Sequence, residues 1–287
     1  MSAAKYDQSK AELAYRRAEL LERGEEFFAA RTLFVAVGHD YPHETIAARA
    51  RFRAARLLED ALHDEPRALA EYVLLIREAP DSVAAVNALS HAEPLLPEPE
   101  VIPFLSAELK AKPRSALAPT LMHHLAARLE KSPSLAQAAA ELFDRLADQQ
   151  GTPARFTTLY LAARAWLSAG KAETALARLQ TVVASHEGSI LPGDTNTASL
   201  DDAAFMIGEI YRDRLHDDGH AREAFERVLH DYPTSRLVDD ALYALEQLAV
   251  AHGDPARAQK LFERLQHERP TSRYARAMCC QEARPPR

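Results

Sequence analysis

The sequence predicts an all-α chain: an α-solenoid of about seven helix–turn–helix hairpins with a C-terminal capping helix. Three observations predict it. A small residue, a bulky one four places on and an apolar one three further recur as Ala30/Phe34/Val37, Ala68/Tyr72/Leu75, Ala139/Phe143/Leu146, Ala172/Leu176/Leu179, Ala221/Phe225/Val228 and Ala258/Phe262/Leu265. In four of these copies a proline follows eight residues after the bulky position: Pro42, Pro80, Pro233 and Pro270. Third, only 9 glycines occur in 287 residues rich in Ala, Leu, Arg and Glu, and no long β-branched alternation is present. A period in the thirties marks stacked supersecondary units rather than one globular core.

The helix pairs follow from the turn signals. Arg23-Gly24 separates 7–23 from 25–40, and Asp64-Glu65-Pro66 separates 43–62 from 66–79. The third pair, 82–93 with 99–112, is crowded by Pro94, Pro97, Pro99 and Pro103, which predicts a bent or shortened hairpin with only Leu105 and Pro113 of the pattern. Ser132-Pro133 divides 116–131 from 134–150, and Ala169-Gly170 divides 154–169 from 171–187. Asp218-Gly219 and Gly253-Asp254-Pro255 divide 198–216 from 219–231 and 236–252 from 255–268. Pro270-Thr-Ser-Arg273 repeats Pro233-Thr-Ser-Arg236, so 272–281 reads as the opening helix of an unfinished repeat, a cap. The stretch 186–199 is the longest loop candidate, either a tolerated insertion or a binding loop. The expected organisation is therefore hairpins over 1–187, a loop insertion at 188–197, and hairpins plus cap over 198–287.

Residues spaced by four and three share one helix face. The small alanine admits a neighbouring helix, and Phe34, Tyr72, Phe143, Leu176, Phe225 and Phe262 fill the groove between hairpins as the expected repeat core. The leading helices carry a matching set, Tyr15/Ala18/Leu21, Phe52/Ala55/Leu58, Tyr160/Ala163/Trp166 and Ile207/Gly208/Tyr211. Gly208 in mid-helix costs about 1 kcal/mol against alanine, so a close helix–helix approach is the expected compensation. One hairpin cannot bury its apolar face alone, so stacking supplies the stability.

These residues resemble the tetratricopeptide repeat family, most closely in Gly208-Glu-Ile-Tyr211, Ala221, Phe225 and Pro233. Ala30-Arg-Thr-Leu-Phe34 through Asp40-Tyr41-Pro42, with Asp231-Tyr-Pro-Thr-Ser235 and Asp239-Asp-Ala-Leu-Tyr243, is similar to the variant of bacterial cell-envelope proteins, the outer-membrane assembly lipoproteins and Tol–Pal coordinators. The resemblance implies a non-catalytic scaffold that binds a peptide or partner protein on the concave face lined by leading helices, in a bacterial multiprotein assembly. Alternative roles are a structural subunit of an envelope or motility complex, or a metal-dependent regulator using the histidine-rich turns. The printed N-terminus has no apolar leader, which favours the cytoplasm; the resemblance favours the periplasm or envelope if a leader is removed.

A net charge of −7 with mixed signs argues against a nucleic-acid partner, and no stretch is apolar enough to span a membrane. No GxxxxGK, GxSxG or GxGxxG motif is present, so neither an enzyme nor a cofactor is expected. No metal is expected either: His43, His186 and His267 lack a second histidine four residues on. The cluster His216, Asp217, Asp218, His220 reads as a solvated turn, and His123 and His124 point to different faces. Asp201-Asp202 and Asp239-Asp240 read as helix-start caps, and Cys279-Cys280 as incidental thiols. The candidate partner-binding residues are Arg49, Arg53 and Arg56, one basic stripe suited to an acidic peptide or C-terminal carboxylate. The competing reading is a solvated face balanced by Glu44, Glu59 and Asp60.

Overall fold

The computed structural model describes residues 3–151, 154–185 and 197–278. It is an α-solenoid with no strand among the described residues, and it forms two compact units, Met1–Arg128 and Leu129–Arg287. The first holds α1 (Ala3–Arg23), α2 (Phe27–Asp40), α3 (Thr45–Asp60), α4 (Glu65–Glu78), α5 (Val83–Leu95), α6 (Glu98–Ala111) and most of α7 (Ala118–Leu129). The second holds a 3₁₀ turn at Pro133–Leu135, then α8 (Ala136–Gln149), α9 (Ala154–Ser168), α10 (Ala172–Ala184), α11 (Thr197–Asp213), α12 (Asp218–Asp231), α13 (Val238–Ala251), α14 (Pro255–Glu268) and α15 (Arg273–Met278). The loop candidate at 188–197 lies outside the described residues apart from Thr197, which opens α11, and Cys279 and Cys280 also lie outside them.

The punctuation of the hairpins has local causes. Three trailing helices start on an aspartate whose carboxylate accepts a backbone N–H three residues on: Asp64 from Arg67 at 3.2 Å, Asp217 from His220 at 3.0 Å and Asp254 from Arg257 at 3.0 Å. Trailing helices end at Tyr41, Ala79, Lys112, Tyr232 and Arg269, each followed by a proline. Proline disfavours the helical conformation of the residue before it, and all five have ψ between 52° and 66°. Between leading and trailing helices the chain turns through one left-handed residue: Glu25, His63, Gly170, His216 or Gly253, with φ from 52° to 75°. Only two of those five positions carry glycine.

The six repeat-core side chains are all buried: Phe34, Tyr72, Phe143, Leu176, Phe225 and Phe262. Three leading–trailing pairs place aromatic rings together, Tyr15 with Phe34 at 5.2 Å, Phe52 with Tyr72 at 5.9 Å and Phe205 with Phe225 at 5.2 Å between centroids. Gly208 has the expected reason for its place. A Cβ there would sit 2.5 Å from Cε1 of Phe225, so only a hydrogen lets α11 and α12 approach this closely.

The third hairpin departs from expectation. Its helices are 13 and 14 residues long, so it is not shortened. Pro97 precedes α6 as its cap residue and Pro99 falls in its first turn, where a missing N–H costs little. Pro94 lies in the last turn of α5, and Pro103 is accommodated inside α6. The small–bulky–apolar pattern continues there as Val101/Leu105/Glu108, all buried. A carboxylate in the third place hid it, and Arg77 satisfies that carboxylate through Nε at 2.8 Å.

Candidate partner-binding face

Within the first unit the leading helices pack side by side, α1 on α3 and α3 on α5. The arginines of α3 therefore meet side chains of the repeats on either side. Arg49 lies 4.5 Å above the Tyr15 ring and its Nε donates to the Tyr15 hydroxyl at 2.9 Å. Its nearest carboxylate is Glu19 at 3.7 Å, and the side chain is 61% exposed. The guanidinium is thus held in place by an aromatic face while its outer N–H groups remain open to solvent. Burial pushes the Tyr15 phenol above its ordinary 10.0, against the lowering influence of Arg49.

Arg53 and Arg56 stand differently. Arg53 gives an N–H to Glu22 at 2.5 Å, and Arg56 gives Nε to Asp60 at 2.8 Å. Nearby Arg51 pairs with Glu78 and donates to the Gly38 carbonyl at 3.2 Å. The stripe is thus largely satisfied within the protein, and Arg49 is the member that presents its charge. Of the expected balancing carboxylates Asp60 binds Arg56 directly, and Glu59 acts on it by charge alone. Glu59 instead accepts from the Tyr72 hydroxyl at 2.6 Å and lies 2.9 Å from His91 Nδ1. Burial, then the Glu59 hydrogen bond, pushes the Tyr72 phenol far above its ordinary 10.0. Sequence reasoning missed Glu19 and Glu22 because they precede their arginines by about one repeat, a separation that a helix-by-helix reading does not compare.

Two grooves flank Phe52. One, of about 620 Å³, is lined by Thr45, Arg49, Phe52, Asp81, Val83 and Asn87 among others, with Val83 77% exposed at its wall. The other, of about 420 Å³, runs past Glu22, Phe27, Phe52, Arg53, Arg56 and Asp60. Both are open and lined by apolar and charged side chains together.

The same carboxylate-to-cation link recurs further along the unit. Glu93, at the end of α5, receives Arg128 Nε at 2.6 Å and pairs with His124, while Arg128 also reaches both oxygens of Glu98 at 3.1 Å. Burial alone would raise the Glu93 carboxyl; hydrogen bonds from His124 and Arg128 outweigh it and hold the group below its ordinary 4.5. His123 is depressed below 6.5 by burial and then by the charge of His124.

In the second unit Asp239 and Asp240 stand in the first turn of α13, at a helix start as expected, whereas Asp201 and Asp202 lie beyond the first turn of α11; all four also reach the following repeat. Ser235 Oγ donates to Asp201 at 2.6 Å and Ser272 Oγ to Asp239 at 2.7 Å. Arg236 pairs with Asp202 at 3.4 Å and Arg273 with Asp240 at 3.0 Å. The turn at His216–His220 is a cap, with His220 Nδ1 2.6 Å from Asp217 and Asp218 2.8 Å from His252. Among the described residues no three His, Cys, Asp or Glu side chains converge as a metal-holding group, and no helix is long and apolar enough to cross a membrane.

Comparison with known proteins agrees with this geometry. Residues 202–235 match the family described as tetratricopeptide repeat. The fold is similar to the C-terminal part of a TPR repeat-containing protein from Cytophaga hutchinsonii, at 13% identity and a TM-score of 0.57, over 91% of this chain and 97% of that one. It is also similar to BtubC (BKLC) from P. vanneervenii, at 17% identity and a TM-score of 0.54, over 80% and 94% of the two chains. No curated protein sequence matches the chain.

Proposed function

We propose that this chain, built of tetratricopeptide repeats, is a non-catalytic scaffold whose leading-helix face in residues 1–128 holds an extended segment of a partner protein. The observation that carries the proposal is the pair of open grooves on either side of Phe52, with Arg49 braced over Tyr15 at the rim of one. A braced guanidinium loses little freedom on binding a carboxylate, so it favours an acidic residue or a chain terminus. Asn87 and Ser82 add polar groups beside it, and Val83 and Phe52 give an apolar contact for an adjoining side chain. The resemblance of the repeat wording to envelope proteins supports a bacterial assembly as the setting.

Selection of displayed peptides on the whole chain tests this. Enriched peptides are expected to carry an acidic residue next to an apolar one. Arg49→Glu is expected to weaken them at least tenfold, while circular dichroism shows the helical fold retained. Enrichment of no sequence, or full binding to Arg49→Glu, would remove the reading.

A further inference from the structure

In the second hairpin Ala50, Ala54 and Leu57 run along α3 and are sealed into one core with Ala11, Tyr15, Ala18, Ala30, Phe34 and Val37 of the hairpin before. That is how a leading helix seats on its predecessor in this protein. Superposing Tyr15/Ala18/Leu21 on Phe52/Ala55/Leu58 brings the same three places on α1 to Leu13, Arg17 and Leu20. Leu13 and Leu20 there are 69% and 66% exposed. The three share one face, opposite the buried Ala11, Tyr15 and Ala18. The face is edged by exposed Lys10, Arg16 and Arg23; Glu12 pairs with Arg16 at 3.2 Å, while Arg17 and Arg23 make no ion pair among the described residues.

We propose that this stripe of α1 docks an amphipathic helix of a partner protein, one whose apolar row is edged by aspartates and glutamates. Register supplies the shape: the equivalent stripe on α3 is covered by helices, so a helix fits here. Charge supplies the chemistry. Arg17 stands where the internal repeat has Ala54, so whatever covers the leucines must bring a carboxylate to it or leave it wet. A second copy of α1 is a helix but does not supply that carboxylate. Antiparallel pairing of Leu13 with Leu20 brings Arg16 and Arg17 of both helices together, and parallel pairing sets Arg17 against Arg17. The surface is distinct from the grooves beside Phe52 and does not depend on their role.

The probe is a labelled synthetic helix of about twenty residues with leucines at heptad spacing and glutamates on both flanks, titrated against the full chain by fluorescence anisotropy. A companion probe replaces each glutamate with lysine. Binding of the acidic probe is expected to weaken at least tenfold in the Leu13→Ser/Leu20→Ser variant and to fall with added salt. Arg17→Glu is expected to weaken the acidic probe and to strengthen the lysine probe. Both substitutions lie on exposed positions, and circular dichroism is expected to show an unchanged fold. Equal binding of the two probes, or insensitivity to the leucine pair, overturns the proposal. So does light scattering showing a dimer that Leu13→Ser/Leu20→Ser dissolves, which assigns the face to a second copy. Tighter binding to phosphatidylserine vesicles than to the acidic probe, lost in the same variant, assigns it to a lipid surface instead.

Discussion

Residues 1–128 and residues 197–278 join their repeats by different chemistry. In the first stretch glutamates at the far ends of leading helices meet a large basic side chain of the next repeat: Glu22 with Arg53, Glu59 with His91, Glu93 with His124 and Arg128. In the second, Asp201 and Asp239 near the starts accept from serine hydroxyls and Asp202 and Asp240 from arginines, beside the links of Asp218 with His252 and Glu226 with Arg257. The two grooves beside Phe52 lie in the first stretch, while the second carries a smaller hollow of about 80 Å³ lined by Asp218, Leu245, His252 and Arg257 among others.

The largest expected effect comes from breaking the close approach in the second stretch. Phe225→Ala should cost about 3–5 kcal/mol in thermal or urea unfolding, because the ring is fully buried against α11. Gly208→Ala should cost about 1–3 kcal/mol despite alanine's better helix propensity, since the new methyl meets the Phe225 ring. Combining the two should recover part of that loss, and a double-mutant cycle showing strict additivity would separate glycine from ring.

The next effect sharpens the contrast in the first stretch. Glu93→Gln should cost about 1–3 kcal/mol by removing charge-assisted bonds to His124 and Arg128. The Glu93 carboxyl is held below its ordinary 4.5, so its contribution is complete above that value and is lost as pH falls through the depressed one. Protection of α5 and α7 amides against hydrogen exchange, relative to their intrinsic rates at each pH, should fall on acidification below about pH 4.5 in the parent. In Glu93→Gln that added acid sensitivity should be absent. The smallest effect belongs to the exposed pairs. Asp202→Asn or Asp240→Asn should cost no more than about 1 kcal/mol and lose even that in high salt.

The fold was legible because burial imposes a period that alanines, aromatics and prolines each report independently. Phe34 and Phe262 needed no partner to be named as core; their spacing from Ala30 and Ala258 placed them. The third hairpin was obscured where Glu108 takes an apolar place, since its neutralising Arg77 belongs to the preceding trailing helix. The arginine stripe was legible as a stripe but not as a set of bonds. Whether Arg53 is open or engaged depends on Glu22, thirty-one residues earlier. The serine partners of Asp201 and Asp239 were missed for the same reason, lying about one repeat later. Charge on one helix can be seen in a sequence; its neutralisation from the adjacent repeat requires the helices to be brought together first.

These links each reach about one repeat along the chain and no further. Evolution can therefore lengthen or trim such a molecule by whole modules, because excision of one leaves its former neighbours with matching halves of a joint. The Asp–Asp and Thr–Ser–Arg wording around Asp201 and Pro233, and again around Asp239 and Pro270, is already interchangeable in that sense. Arg276-Ala277 stands where Asp239-Asp240 stands one module earlier, so the acceptor wording is not repeated at that place.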